Sequence, residues 1–298
     1  MFTDKVELKD FENMDPEYRE LLGRLLTIQA DCEIGGPHLY VEQMLPSAPT
    51  KLDRLIVART AAEEIDHYRK FARLAGDIGV DVSFVLSWPN QKRYLETFRG
   101  KITTWEDFAV FGFLIDRVGR YQLEEFIGCS YLPVEGILPE IIKEEEGHID
   151  FGATKTRELA EKGDESRGKI QKALDYWYIK ALDMFGRSNS KRSERYCYWG
   201  IKRRTNAQAR EAYIKEVNPL IEQLGFVEVG HEGVTWIRRG GEPAARARQL
   251  GGQLVRESII RAGVLTEQEF AEDDRLLADP SFSFVDATSF AAWGRRAS

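Results

Sequence analysis

Only four histidines (His38, His67, His148 and His231) and three cysteines occur in this chain of 298 residues. Three cysteines (Cys32, Cys129 and Cys197) are an odd count without Cys-x-x-Cys spacing, which excludes a disulfide frame and a cysteine zinc site. Positive charge is also short: 42 Lys and Arg against 49 Asp and Glu give a net charge of −7. Such a balance argues against nonspecific binding to nucleic acid or to an anionic membrane. No apolar run approaches a membrane span, and Met1-Phe2-Thr3-Asp4-Lys5 does not open an apolar leader. The 25 glycines form no phosphate-binding loop. His38 and His231 stand beside glycine or proline in expected loops, without a serine or cysteine pattern suited to nucleophilic catalysis. These absences predict a cytoplasmic protein with reduced thiols, and 43% hydrophobic residues suffice for a substantial core.

The other two histidines close the same short pattern, Glu64-Ile65-Asp66-His67 and Glu145-Glu146-Gly147-His148. On a helix, positions i and i+3 share a face, so each Glu-x-x-His can grip one metal ion. A lone acid precedes each motif at a matched distance: Glu33 stands 31 residues before Glu64, and Asp116 stands 29 before Glu145. One acid from each of two helices and one Glu-x-x-His from each of two others is the ligand layout of a di-iron or di-manganese site in a four-helix bundle. Either motif alone is weak, since a Glu-rich helix surface produces it by chance. Two copies with matched upstream acids make a strong constellation.

Apolar periodicity supplies the four helices. The first is expected from Asp15 to Met44, with Gly35-Gly36-Pro37 as a kink or break; the second from Thr50 to Gly76, with Leu52, Leu55, Ile56, Ala62, Ile65 and Phe71 facing the core. A long crossover through Asp81–Trp88 and Lys92–Phe98 follows, as ferritin-like bundles require. Thr103-Thr104-Trp105-Glu106 reads as a capping box opening the third helix. Asp116 lies in its most apolar stretch, which favours it as the inward acid; Glu124 and Glu125, two turns on, are the alternatives. The fourth helix runs from Val134 to Lys162 and a fifth from Asp164 to Phe185, with further helices at Ser193–Lys202 and Asn206–Leu224. Beyond residue 225 the pattern changes to a hairpin over residues 227–237 and two helices at Pro243–Ala262 and Leu265–Ala278. The expected organisation is an all-α, ferritin-like four-helix bundle with extra helices over residues 1–225, and a small appendage over 226–298 that contains the hairpin.

With these residues in view, the chain resembles the catalytic subunits of ring 1,2-phenylacetyl-CoA epoxidases, in the phenylacetic-acid catabolic branch of the ferritin-like proteins. The likeness runs from about Tyr18 to Leu224. It rests on Cys32-Glu33-Ile34 where that family has Ser-Glu-Ile, on Glu63-Glu64-Ile65-Asp66-His67 for Asp-Glu-Ala-Gly-His, and on Gly112-Phe113-Leu114-Ile115-Asp116 for Gly-Trp-Leu-Val-Asp. Lys143-Glu144-Glu145-Glu146-Gly147-His148 and Trp199-Gly200-Ile201-Lys202-Arg203-Arg204-Thr205-Asn206 match two further stretches. The resemblance independently favours Asp116 over Glu124. The chain departs from the family at Thr60, where a lysine is usual and Arg59 stands beside it, and at Arg117, Val118, Gly119 and Arg120, where small residues are usual.

Glu33, Glu64, Asp116 and Glu145 are thus the expected carboxylate ligands and His67 and His148 the imidazoles, with Asp66 and Glu144 as candidates to orient them. Two irons, or manganese as the alternative, would suit oxygen activation and insertion of one oxygen atom into an aromatic acyl-CoA. Lys202, Arg203 and Arg204 are the cations expected near the CoA phosphates. Nothing in the sequence binds a flavin or an iron–sulfur cluster, so electrons are expected from an external reductase. The partners that the resemblance implies are that reductase and a structural ferritin-like subunit, with a homo-oligomer as the alternative. A di-iron enzyme acting on a non-CoA substrate and a ferritin-like metal-handling protein are the competing functions.

Overall fold

The computed structural model describes residues 2–226; the hairpin at 227–237, the two tail helices, His231 and the appendage as a unit lie outside the described residues. Helix α1 (Pro16–Leu39) begins where the Asp15 side chain accepts from the Glu17 N–H, with Pro16 at its first position. It continues through Gly35-Gly36-Pro37 without breaking. Proline has no N–H to return to the Glu33 carbonyl, and the helix widens just beyond it into a π turn (Tyr40–Met44), which runs into α2 (Leu45–Ser47). Thr50 caps α3 (Lys51–Asp77) by accepting from the Asp53 N–H.

The crossover is a string of 3-10 turns (Ser83–Ser87, Asn90–Lys92, Glu96–Arg99). It is pinned to α1 by Asp31, which is buried, pairs with Arg93 at 2.8 Å and accepts from the Tyr94 N–H at 2.8 Å. Helix α4 (Trp105–Phe111), a π turn (Gly112–Asp116) and α5 (Arg117–Glu124) then form one continuous rod. Its capping box lies one residue beyond the expected one: Thr104 caps and Asp107 reciprocates, because Asp107 rather than Glu106 reaches the free N–H groups. Helices α6 (Leu132–Glu135), α7 (Leu138–Glu161), α8 (Asp164–Asp183), α9 (Lys191–Tyr198) and α10 (Asn206–Gln223) complete the described chain.

Helix α1 packs along α3, the α4–α5 rod along α7, and α3 meets α7, which makes the four-helix bundle; α8 covers α4. Val6 and Tyr131 form an isolated bridge, and the described residues contain no strand. None of their helices is long and apolar enough to cross a membrane. Two hydrophobic clusters divide the interior, one with Tyr40, Val57, Phe111 and Trp177, the other with Leu26, Phe71, Phe126 and Ile141. Along α3 the changeover falls between Ala61 and Tyr68, and along α7 it falls between Ile141 and Ala160. Those intervals contain the two Glu-x-x-His motifs.

The inward face of α3 is not the apolar one expected from the sequence. Leu52 and Leu55 are 65% and 69% exposed and Ile65 also faces out; Phe71 is buried as expected, as are Glu64 and His67, together with Val57, Thr60, Ala61 and Leu74. Polar ligand-type residues occupy inward positions on this helix, so a count of apolar residues follows the wrong face. Where α7 crosses the π turn of the rod, Gly152 meets backbone: a Cβ there would lie 2.4 Å from the Gly112 carbonyl carbon and the Phe113 nitrogen. Glycine is required for that approach.

Candidate metal centre

The bundle brings Glu33 from α1, Glu64 and His67 from α3 and Glu145 from α7 into one buried group whose ligand atoms lie within 4.8 Å of one another. His148 and Asp116 adjoin it. The His67 Nδ1 faces Glu33 Oε2 at 3.4 Å, Glu145 Oε1 at 3.5 Å and Glu64 Oε2 at 3.9 Å. The His148 Nδ1 faces the other oxygens of the same two glutamates, Glu64 Oε1 at 3.4 Å and Glu145 Oε2 at 3.8 Å. Glu64 and Glu145 therefore each present one oxygen to each imidazole, an arrangement that would let both carboxylates serve two ions. Glu33 joins the His67 side. Asp116 lines the same chamber and feels the charges of Glu145 and His148. The Glu124 carboxylate pairs instead with Arg203 and Arg120, and Glu125 pairs with Arg204.

The far side of each imidazole is held across the helix interface. His67 Nε2 meets Glu144 at 2.8 Å and His148 Nε2 meets Glu63 at 2.9 Å. Each acid immediately precedes the glutamate of the opposite motif. Sequence reading found Glu144 but chose Asp66 over Glu63; Asp66 pairs with Lys70 on the half-exposed side of α3. The signal for Glu63 was present, since both motifs read Glu-Glu-x-x-His. Arg59 donates to Glu63 at 2.7 Å and so supplies a cation beside the second motif, next to the buried Thr60. The hydrogen bond from His148, assisted by Arg59, holds Glu63 down at a pKa of about 2.

The residues fit a pair of metal ions on their own geometry. The Nδ1 atoms of His67 and His148 are buried with no hydrogen-bond partner although both point into the carboxylate group. A buried polar atom without a partner is costly, and a metal bond satisfies it. Carboxylates with one imidazole apiece suit a redox-capable or hard divalent ion. In the metal-free protein the charges are settled with protons. Burial pushes Glu64 up, and the neighbouring Glu145 adds to it. Burial raises Asp116 to about 7, again with Glu145 contributing. Burial opposes a charge on His67, yet the carboxylates of Glu145 and Glu33 that face its Nδ1 raise it to about 11.

Two further groups steady the centre. The buried Gln29 amide donates to Glu33 Oε1, and the Tyr40 hydroxyl donates to Asp116 Oδ1 at 2.8 Å. Neither was singled out from the sequence, because a lone Gln or Tyr on a helix carries no spacing signal. The chamber beside the cluster has a volume of about 30 Å³ and is walled by Phe98, Ile115 and Met184. Of the four residues after Asp116, only Gly119 lines it: a Cβ there would lie 3.4 Å from Glu145 Oε2. Arg117 and Arg120 both turn to Glu216 on α10, and Val118 is in the core.

Gln29, Gln122 and Met184 also line a second cavity, a cleft of about 710 Å³ that opens toward α9. Arg24, Arg187, Lys191, Arg192 and Lys202 surround it, and no Asp or Glu is among the described residues that line it. In a chain of net charge −7, five cations around one cleft is a marked concentration. Of the three expected phosphate-binding cations only Lys202 lines this cleft; Arg203 is held by Glu124 at 2.9 Å and Arg204 by Glu125 at 2.6 Å.

Buried glutamates and paired imidazoles that could hold metal, set within a four-helix bundle, place the chain in the ferritin-like class. Its family is more specific. The chain matches the phenylacetic acid catabolic protein family over residues 5–242, and it belongs to that family. It is 27% identical over 217 residues to one of the subunits of 1,2-phenylacetyl-CoA epoxidase from Escherichia coli (strain K12), covering 72% of this chain and 70% of that one. It is also 24% identical over 225 residues to benzoyl-CoA oxygenase component B from Aromatoleum evansii, covering 65% of this chain and 47% of that longer protein.

Proposed function

We propose that this chain is the catalytic subunit of a di-iron monooxygenase that inserts one oxygen atom from dioxygen into an aromatic acyl-CoA. The observation that carries the reading is the division of oxygens by Glu64 and Glu145 between His67 and His148, which fits two ions and not one. Glu33 and His67 would hold one ion and Asp116 and His148 the other. Glu144 and Glu63 would fix the imidazole planes from behind, and Gln29 would hold the free oxygen of Glu33. Bound there, two irons would supply reductive activation of dioxygen.

The relatives' names supply the substrate class, phenylacetyl-CoA for one and benzoyl-CoA for the other. The basic cleft supports it here: Arg24, Arg187, Lys191 and Arg192 suit the phosphates of CoA, with Lys202 on the same wall and the acyl end directed past Gln29 and Gln122. One oxygen atom enters the substrate and the other leaves as water, which requires two electrons and two protons. An external reductase would deliver the electrons. One relative is named as one of several subunits and the other as an oxygenase component, which supports a multi-component assembly. The free thiols of Cys32, Cys129 and Cys197 suit the cytoplasm.

The deciding experiment supplies iron, a reductase, isotope-labelled dioxygen and a panel of aromatic and aliphatic CoA esters. A product carrying one labelled oxygen is expected, and charge reversal at Arg187 and Arg192 should raise KM more than it lowers kcat. Labelled product from a free acid or amine, with every CoA ester refused, would replace the CoA reading. Rapid ferrous oxidation to mineral without any product would replace the oxygenase reading by metal handling.

A further inference from the structure

We infer that Tyr40, Trp177 and Tyr176 form a route by which an oxidising equivalent leaves the metal centre for the surface when no substrate consumes it. The inference rests on the proposed function, because it needs a centre oxidising enough to take an electron from a phenol. Tyr40 is fully buried and its hydroxyl touches Asp116. The ring of Phe111 stands edge-on between Tyr40 and Trp177, with centroids 5.9 Å from the first and 5.0 Å from the second. Trp177 is fully buried, its indole Nε1 has no hydrogen-bond partner, and its ring lies 4.7 Å from that of Tyr176. Tyr176 is 43% exposed. The series therefore runs from a residue of the acid–imidazole cluster to solvent through rings in contact. Two other buried tyrosines have different partners: the Tyr213 hydroxyl donates to the Leu114 carbonyl and that of Tyr121 to Glu216.

The chemistry sets the direction of traffic. Tyrosine and tryptophan lose electrons only to strong oxidants, and they do not store the low-potential electrons of a flavin or iron–sulfur reductase. Holes pass outward along such a series. One electron moves from Tyr40 to the oxidised centre, and the phenol proton shifts along its hydrogen bond to Asp116 Oδ1. Trp177 then returns an electron to Tyr40, the proton goes back with it, and the hole rests on the indole. Tyr176 reduces Trp177 and gives its hydroxyl proton to water. The neutral phenoxyl left at the surface takes one hydrogen atom from an external thiol. In sum the centre gains one electron and the thiol loses one electron and one proton. The sulfurs of Cys32 and Met184 line the metal chamber, so an equivalent that stayed inside would find oxidisable side chains at once.

The test loads the full chain with ferrous iron, adds hydrogen peroxide without substrate and includes a nitroso spin trap, followed by peptide mapping. Trap adduct at Tyr176 is expected in the wild type and not in metal-free protein given the same peroxide. In Trp177→Phe the adduct at position 176 should be lost although Tyr176 remains, and oxidation of Cys32 and Met184 should rise. Circular dichroism verifies the fold, and Tyr40→Phe gives the same reading if Trp177→Phe does not fold. Tyr176→Phe, at an exposed position, should likewise raise internal oxidation. Undiminished adduct in Trp177→Phe or Tyr40→Phe, equal adduct without metal, or none at Tyr176 in the wild type overturns the route. If an enzyme that inserts oxygen shows no transfer, this inference alone fails. If transfer occurs in a protein that oxygenates nothing, the proposed function alone fails.

Discussion

His67 on α3 and Glu144 on α7 meet at 2.8 Å, and the same contact is repeated in mirror order by His148 and Glu63 at 2.9 Å. Each imidazole that faces the buried carboxylates is thus oriented by an acid from the opposite helix, so neither Glu-x-x-His motif can be set without the other.

That exchange makes a side-specific prediction. Glu144→Gln should weaken metal at the His67 position and Glu63→Gln at the His148 position, each by about 10–100-fold. Competition with a chelator, read together with anomalous occupancy of each position, checks the assignment. Equal loss at both positions from either variant would show that the acids act only through overall fold. Far-ultraviolet circular dichroism should stay unchanged, because each amide still reaches its imidazole.

Asp116 and Glu125 are both buried acids, and their replacement should have opposite consequences. Asp116→Ala should reduce metal content to about one ion or less, on the six-ligand count for two ions, with little loss of helix. Glu125→Ala should leave metal content intact. It should cost about 3 kcal/mol, since it takes from Arg204 its nearer carboxylate and leaves only Glu124 at 3.7 Å. Metal analysis and thermal melting separate the two. Full metal content in Asp116→Ala would move the ligand role elsewhere.

That these acids and histidines converge was legible because it is written in spacing: two Glu-x-x-His motifs and two upstream acids at similar intervals survive without any knowledge of packing. The orienting acids were half legible. Glu144 and Asp66 were equally plausible from the sequence, and only the helix crossing shows that the residue before each ligand glutamate, not the one before each histidine, faces the other helix. The inward face of α3 was misread for a physical reason. Glu64, His67 and Thr60 occupy core positions, while Leu52, Leu55 and Ile65 lie outside. The cleft was not legible at all, since Arg24 stands far in sequence from Arg187, Lys191 and Arg192. A visible run of cations at 202–204 drew the assignment that two of its members spend on Glu124 and Glu125.

Gly152 offers a test of the scaffold. Its Cα permits the backbone of the π turn before Asp116 to approach where any Cβ would overlap it at 2.4 Å. Gly152→Ala must push α7 away from Gly112 and Phe113, at a cost of about 1–3 kcal/mol. Because Asp116 ends the same turn and Glu145 and His148 lie on α7, metal affinity should fall along with melting temperature. Gly147→Ala, on the same helix with open space at its Cβ, is the control and should be neutral or slightly stabilising. A Gly152→Ala protein with unchanged melting and metal content would remove the close approach as a determinant of the site.

The protons held by the metal-free site predict how metal binding depends on pH. His67 has its pKa raised from 6.5 to about 11, where burial opposes the charge and the facing carboxylates of Glu145 and Glu33 outweigh it. A raised histidine contributes stability that is fully present below its unfolded value of 6.5 and is lost as pH rises through about 11. Asp116, raised from 3.8 to about 7 by burial and by Glu145, is half protonated near neutrality and disfavours the metal-free fold as it ionises. A metal ion needs the opposite forms: a neutral imidazole at Nδ1 and ionised carboxylates. Binding at pH 7 must therefore expel the imidazole proton and part of that on Asp116. Apparent affinity should rise with pH across the range from about 6 to 8. Titration of ferrous iron under anaerobic conditions, in weak buffer with an indicator dye, should show net acid release that shrinks in Asp116→Asn. The stabilisation of melting by metal should grow in parallel with pH. Binding with no proton release and a flat pH profile would mean that His67 Nδ1 is already neutral in the metal-free protein, and the carboxylates would then have to carry their charge by another arrangement than the one in this bundle.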